Sequence, residues 1–353
     1  MNTTDDDITA EPGDDRDELE GLAPESLEEF EGTESPDLAE EYEESLSFGP
    51  PVRPDTTPLP RAVDWRGKKV AGSEHLQQHA NYGNFDAMMP SGLCLHFPVA
   101  AVWMRKNTPG ATDQERLKNG VGRKVAMSIA FARNLTKSNF FNTYYILDYT
   151  GQHHQDCNIS DRGIHGHSAN RYTQGVEISG AGRLREFKGE FYRSFDLTKV
   201  GNSLALRNSS QPPVPAWARR TVSAKQGNIC PGTYMLFTPA QVEGICKLHA
   251  DLMYCDRDRG TYRSQHEFMV SGVTSHDLHC DQKTDVGGSL FTDIVDFGRL
   301  LDQYIRALRE DGPIERLIDE DRHAAAFAAV IAANPAYQAA YAGWQADAIP
   351  VWA

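Results

Sequence analysis

Residues 172–180 read YTQGVEISG, a run of strand-forming residues that stops on glycine. Neighbouring side chains in a strand face opposite sides. Val176 and Ile178 therefore share one face and Glu177 takes the other, either as an ordinary surface position or as a carboxylate turned toward chemistry. Upstream, GLCLHF at 92–97 is a short apolar run that reads as a buried strand, and NTYYILDYTGQ at 142–152 has a strand's bulky residues followed by a glycine turn. Between them, residues 113–135 have helical spacing, with Leu117, Val121, Val125, Ile129 and Ala130 in one stripe. Downstream, TPAQVEGICKLHADLMYC at 238–255 opens with Thr-Pro, a favoured helix start, and keeps Val242, Ile245, Leu248 and Leu252 on one face. HEFMVSGVT at 266–274 predicts a further strand that leads into SHDLHCDQKTDVGG at 275–288. Strands that alternate with helices define an α/β class: a mixed central β-sheet flanked by helices.

The ends of the chain differ from this middle. Through Glu44 there are 19 acidic residues against Arg16 alone, a net charge of −18, whereas the whole chain carries −15 and the remainder therefore +3. This segment is poor in aromatics and runs into FGPPVRPDTTPLP, so its composition predicts a disordered acidic N-terminal arm over residues 1–60. Beyond Gly298 the chain turns helical and Ala-rich, in RLLDQYIRALRE and then DRHAAAFAAVIAANPAYQAAYAGW. The expected organisation is the arm, an enzyme domain over 61–298 and a helical C-terminal extension over 299–353. The arm and the C-terminal helices are the segments left for a docking partner.

Several classes of function are disfavoured. A nearly neutral body lacks the strong basic patch of a nucleic-acid protein, and its slight excess of positive charge suits an anionic cell-wall polymer. No apolar run approaches the roughly 18 residues that membrane insertion requires. The opening MNTTDDDITAEPGDD is acidic where a secretory signal would be basic and then apolar. The expectation is a chain made in the cytoplasm without a Sec signal. The six cysteines form no CxxC pair and read mostly as reduced, buried thiols.

Catalytic zinc takes three protein ligands from histidine and carboxylate and keeps a position open for water. His96 at the end of a buried strand, His276 at the end of a later strand and Asp285 nine positions further on form such a set. His279 and Cys280 lie close enough to His276 in sequence to compete with it. The tandem His153 and His154 would point to opposite faces of a strand and read as structural or surface residues.

Five blocks occur in order: LCLHF; TYYILDYTGQ; IHGHSANRYTQGVEISG, in which Asn170 lies seven residues before Glu177; the helix TPAQVEGICKLHADL; and His276 followed by Lys283, Thr284, Asp285, Gly287 and Phe291. Together they resemble the zinc-dependent N-acetylmuramoyl-L-alanine amidase family, which includes the phage T7-type lysozymes, the anhydro-muropeptide amidases and the animal peptidoglycan recognition proteins. The resemblance spans Leu93 to Phe291. It implies a Zn2+ cofactor held by His96, His276 and Asp285, with Glu177 as proton acceptor and Lys283 as the cation opposite the developing oxyanion. It further implies substrate contacts from His165, Asn170 and Tyr144, and bacterial peptidoglycan as the substrate. Three departures stand out: Ser275 replaces the usual glycine before the second metal histidine, Val286 replaces the proline of the DPG turn, and Thr143 occupies the place of a catalytic tyrosine, with Tyr144 beside it. The acidic arm and the C-terminal helices favour a lytic enzyme of phage or antibacterial type, which reaches the wall after lysis, particle injection or dedicated secretion, over a cytoplasmic enzyme that recycles wall fragments and would not need them. A peptidoglycan-binding module without catalysis and a virion structural or assembly protein are the alternatives.

Overall fold

A computed structural model of the chain describes residues 59–64, 92–97, 145–148, 150–155, 169, 173–226, 229–255, 272–279, 284–310 and 318–344. The centre is a six-stranded mixed sheet of β1 (Val63–Asp64), β2 (Gly92–His96), β3 (Tyr145–Leu147), β4 (His153–Gln155), β5 (Thr173–Ile178) and a late strand at Val273–Ser275. In space the order is β1, β4, β3, β5, β2 and then the late strand. β5 and β2 run parallel to each other and to their outer neighbours, whereas β4 runs antiparallel to β3 across the turn at Gly151. Every residue of β2 is buried, which is why GLCLH reads as a continuous apolar run rather than an alternating one.

The register divides the sheet into two chemically different faces. Leu95, Val176 and Tyr145 lie side by side across β2, β5 and β3, and Leu147 pairs with Ile178. These residues belong to the main apolar core. The next positions along the same strands, His96, Glu177 and Ile146, likewise lie side by side and occupy the other face.

The core face is covered by helices. Helix α1 (Pro239–Cys255) begins with a reciprocal cap: Thr238 Oγ1 accepts from the Gln241 amide at 3.0 Å and Gln241 Oε1 accepts from the Thr238 amide at 2.9 Å. Gln241 Nε2 also donates to the Ser179 carbonyl at 2.7 Å, which ties the helix start to the end of β5. Val242, Ile245, Leu248 and Leu252 are all fully buried, as their spacing predicts. Each such side chain contributes about 1.5–3 kcal/mol of transfer free energy. The helix presses against the β3–β4 turn so closely that a Cβ on Gly244 would lie 2.8 Å from the Gly151 carbonyl oxygen. Gly151 itself has φ +79. Glycine is required at both positions, for space at one and for backbone conformation at the other.

Between β5 and α1 the chain forms three antiparallel pairs: β6 (Arg185–Phe187) with β7 (Glu190–Tyr192), β8 (Leu197–Val200) with β9 (Ser203–Leu206), and β10 (Arg219–Val222) with β11 (Gly232–Met235). The strand Val273–Ser275, β12, is followed directly by a single helical turn, α2 (His276–His279). Helices α3 (Ile294–Glu310), α4 (Glu320–Ala332) and α5 (Pro335–Tyr341) complete the described chain.

Contacts cross both expected boundaries. Position 299, where the C-terminal extension was expected to start, lies inside α3, and Phe297, Leu300, Leu301, Tyr304, Tyr337 and Tyr341 share one core with Leu93 and Leu95 of β2. Tyr341 donates to the Phe237 carbonyl at 2.6 Å, so even the last helix is tied to the end of β11. At the other end, Leu59 is buried and its amide donates to Gln155 Oε1 at 2.6 Å, while Arg61 pairs with the buried Asp251 of α1 at 3.1 Å. The body therefore begins by Leu59. The expected helix over 113–135 and the rest of the acidic arm lie outside the described residues. Cys94, Cys230 and Cys246 are free thiols, and no described helix is long and apolar enough to cross a membrane.

Candidate metal centre

Because β5, β2 and β12 are parallel neighbours, their C-terminal ends lie along one edge of the sheet, the usual place for a site in such a fold. His96 is the last residue of β2, Glu177 is its register partner on β5, and His276 follows directly on β12. Asp285 arrives from the loop after α2, and its carbonyl accepts from the Asp277 amide at 2.6 Å. Residues 180 positions apart thereby come into contact.

His96 Nδ1 lies 3.1 Å from His276 Nδ1 and 3.1 Å from Asp285 Oδ2, and His276 Nδ1 lies 2.9 Å from the same carboxylate oxygen. The side chains are 4%, 9% and 13% exposed respectively, so the three polar atoms must satisfy one another or a shared ligand. Protons on both ring nitrogens would crowd each other across the gap. Lone pairs on all three atoms directed at one cation share it without conflict. Donor atoms around a tetrahedral zinc with bonds of ~2.0–2.1 Å stand ~3.3 Å apart, so the observed triangle fits such an ion with a small expansion. Among the described residues this is the group of His, Cys, Asp or Glu side chains that could hold a metal.

Charges of opposite sign stabilise one another within the triangle. Burial works against ionisation of Asp285, but His276 and then His96 outweigh it and hold the carboxyl well below the usual carboxylate range. Burial likewise works against charge on His96, yet Cys94 and Asp285 beside it raise its pKa well above the ordinary histidine value. Each group thus favours the charge that its neighbours complement, and a cation held by the three donor atoms would take the place of the His96 proton.

The other candidates separate cleanly. His279 Nε2 lies 2.9 Å from Thr274 Oγ1 and is not part of the triangle. His153 and His154 are both buried and diverge: His153 Nε2 donates to the Gly244 carbonyl at 2.7 Å, and His154 Nε2 lies 3.0 Å from Asp148 Oδ2. Their roles are structural. Glu177 is half-buried, and its Oε2 has no hydrogen-bond partner among the described residues. Lys283, Tyr144, His165, Asn170 and Cys280 lie outside the described residues. One neighbour escaped the sequence reading: Asp277 holds the loop that carries Asp285. Its place directly after His276 was the available signal.

No family model matches the chain, and no curated protein matches it. A solved structure similar to it is the endolysin N-acetylmuramoyl-L-alanine amidase LysCS from Clostridium intestinale URNW, at 10% identity and a TM-score of 0.31, covering 69% of this chain and 97% of that one. Similarity at that level does not place the chain in a family.

Proposed function

We propose that this chain is a zinc-dependent peptidoglycan amidase that cleaves the bond between the lactyl group of N-acetylmuramic acid and the first L-alanine of the stem peptide. The observation that carries the reading is the convergence of His96, His276 and Asp285 at one sheet edge, beside Glu177, from blocks whose order resembles that family. Bound zinc would supply Lewis acidity and a hydrolytic water of pKa about 7.

The chain's own residues supply the rest. Asp285 stays ionised between two imidazoles and so offers a charged ligand at neutral pH. Glu177 leaves the same sheet face as His96, and its Oε2, which has no partner among the described residues, would take a proton from the attacking water and return it to the departing alanine nitrogen. Lys283, two residues before Asp285, is assigned to the negative oxygen of the tetrahedral intermediate. His165, Asn170 and Tyr144 are assigned to substrate contacts.

Digestion of purified sacculi followed by mass spectrometry tests the reading. Stem peptides with a free L-alanine amino group and glycan strands without new reducing ends are expected. Zinc-loaded protein that binds sacculi and releases neither, or that cuts at a glycosidic bond, would overturn it.

A further inference from the structure

The two ligands on the C-terminal side, His276 and Asp285, are nine positions apart and are held together by the residue directly after the first of them. The Asp277 amide donates to the Asp285 carbonyl at 2.6 Å. Asp277 also lines one cavity with Val286 and Gly287, and the Gly287 backbone favours its charged form, so Asp277 meets the loop on the far side of Asp285 as well. Asp277 Oδ1 in turn accepts from Ser275 Oγ at 2.5 Å, which anchors the carboxylate to the end of β12. Ser275 is the register partner of Leu95 and therefore faces the helix-covered side of the sheet, opposite His96. Asp277 is only 4% exposed, and it lines a small cavity together with Val286, Leu290 and Ile294 rather than joining the ligand triangle.

We infer that Asp277 is the positioning residue of the metal centre: its carboxylate, oriented by Ser275, fixes the Asp285 loop so that the third ligand reaches both imidazoles. The inference rests on the reading of His96, His276 and Asp285 as zinc ligands. Asp277 touches neither metal nor substrate, and its effect passes through Asp285. The unusual Ser275, at a position where the resembled family has glycine, acquires a purpose as the anchor of this carboxylate.

Zinc affinity, measured by competition with a chromophoric chelator in the full-length chain, separates positioning from general support, as does the spectrum of the cobalt-substituted protein. Asp277→Ala keeps the backbone bond to Asp285 but removes the carboxylate anchored by Ser275 beside Gly287, and is expected to weaken zinc about 10–100-fold, the usual range for outer-shell partners, and to alter the cobalt spectrum. Asp277→Asn keeps one acceptor for Gly287, and the Ser275 hydroxyl can turn to accept from its amide, so most of the affinity should return. Ser275→Ala should fall between the wild type and Asp277→Ala. Zinc affinity and cobalt spectrum both unchanged in Asp277→Ala would overturn the inference. If that variant does not fold, Ser275→Ala decides: a several-fold loss supports the role and an unchanged affinity overturns it. A wild-type chain that binds no zinc would overturn the metal reading and this inference together, whereas a wild type that binds zinc no better than Asp277→Ala overturns the inference alone.

Discussion

His96 and Glu177 are register partners at the ends of two adjacent parallel strands, and their side chains leave the same face of the sheet. An imidazole of the candidate metal triangle and a carboxylate oxygen without a hydrogen-bond partner among the described residues therefore share one edge. Under the proposed function they take different tasks, ligation for one and proton transfer for the other. Glu177→Gln keeps the shape and removes the proton acceptor. Turnover should fall about 10²-fold or more, while zinc content and melting temperature stay near wild type. Near-normal turnover with zinc retained would remove Glu177 from the chemistry.

Lys283→Ala should retain zinc and lower turnover by roughly 10²–10³ through lost oxyanion stabilisation. Because both residues act on one transition state, Glu177→Gln combined with Lys283→Ala should cost less than the product of the single effects. Steady-state rates of the three variants on soluble muropeptide check this. Full multiplicativity would mean that the two residues act independently.

Metal analysis distinguishes the two histidines of α2. His276→Ala removes a corner of the triangle and should abolish stoichiometric zinc, whereas His279→Ala breaks the contact to Thr274 outside the triangle and should keep one zinc per chain. The opposite pattern would show that the ligand set is wrong.

Gly244→Ala sets two effects against each other. Alanine is favoured over glycine in a helix interior by about 1 kcal/mol. Here the added methyl would stand 2.8 Å from the Gly151 carbonyl oxygen and 2.9 Å from Leu147 Cδ1, and overpacking typically costs about 1–3 kcal/mol. Backbone oxygen cannot retreat as a flexible side chain can, so the clash should win and the melting temperature should drop. A raised melting temperature would mean that α1 has room to shift.

His153 predicts a pH dependence of stability. Burial lowers its pKa from 6.5 to about 4, outweighing the hydrogen bond to the Gly244 carbonyl, which raises it. Between those values the unfolded chain binds a proton that the folded chain refuses. The contribution of this residue is therefore complete above about pH 6.5 and is lost as pH falls toward 4, to a total of about 3 kcal/mol. Other groups titrate in the same window, so the comparison is the denaturant midpoint of wild type minus that of His153→Gln. The difference should shift toward the variant on acidification; a difference independent of pH would refute the assignment.

Local sequence carried the elements whose causes are local. The unbroken apolar run GLCLH marks a strand buried on both sides, and Val242, Ile245, Leu248 and Leu252 recur with a helix period because one face of α1 meets the core. Thr238, Pro239 and Gln241 stop one element and start the next through hydrogen bonds only three residues apart. The three residues that could hold a metal, too, were legible as a candidate set, through their types and the order of the blocks around them. Tertiary structure alone decided what each face meets. The strand order that sets β2 between β5 and β12 joins His96 to His276 across 180 residues, a pairing that no local interaction encodes. Nor does an Ala-rich helical pattern reveal its partner: α3 and the tyrosines of α5 turned out to complete the core over the sheet, because an apolar stripe specifies that a face is buried but not against which surface. The grip of Asp277 on the Asp285 loop has the same origin, since a buried carboxylate acquires its role from the donors that folding delivers to it.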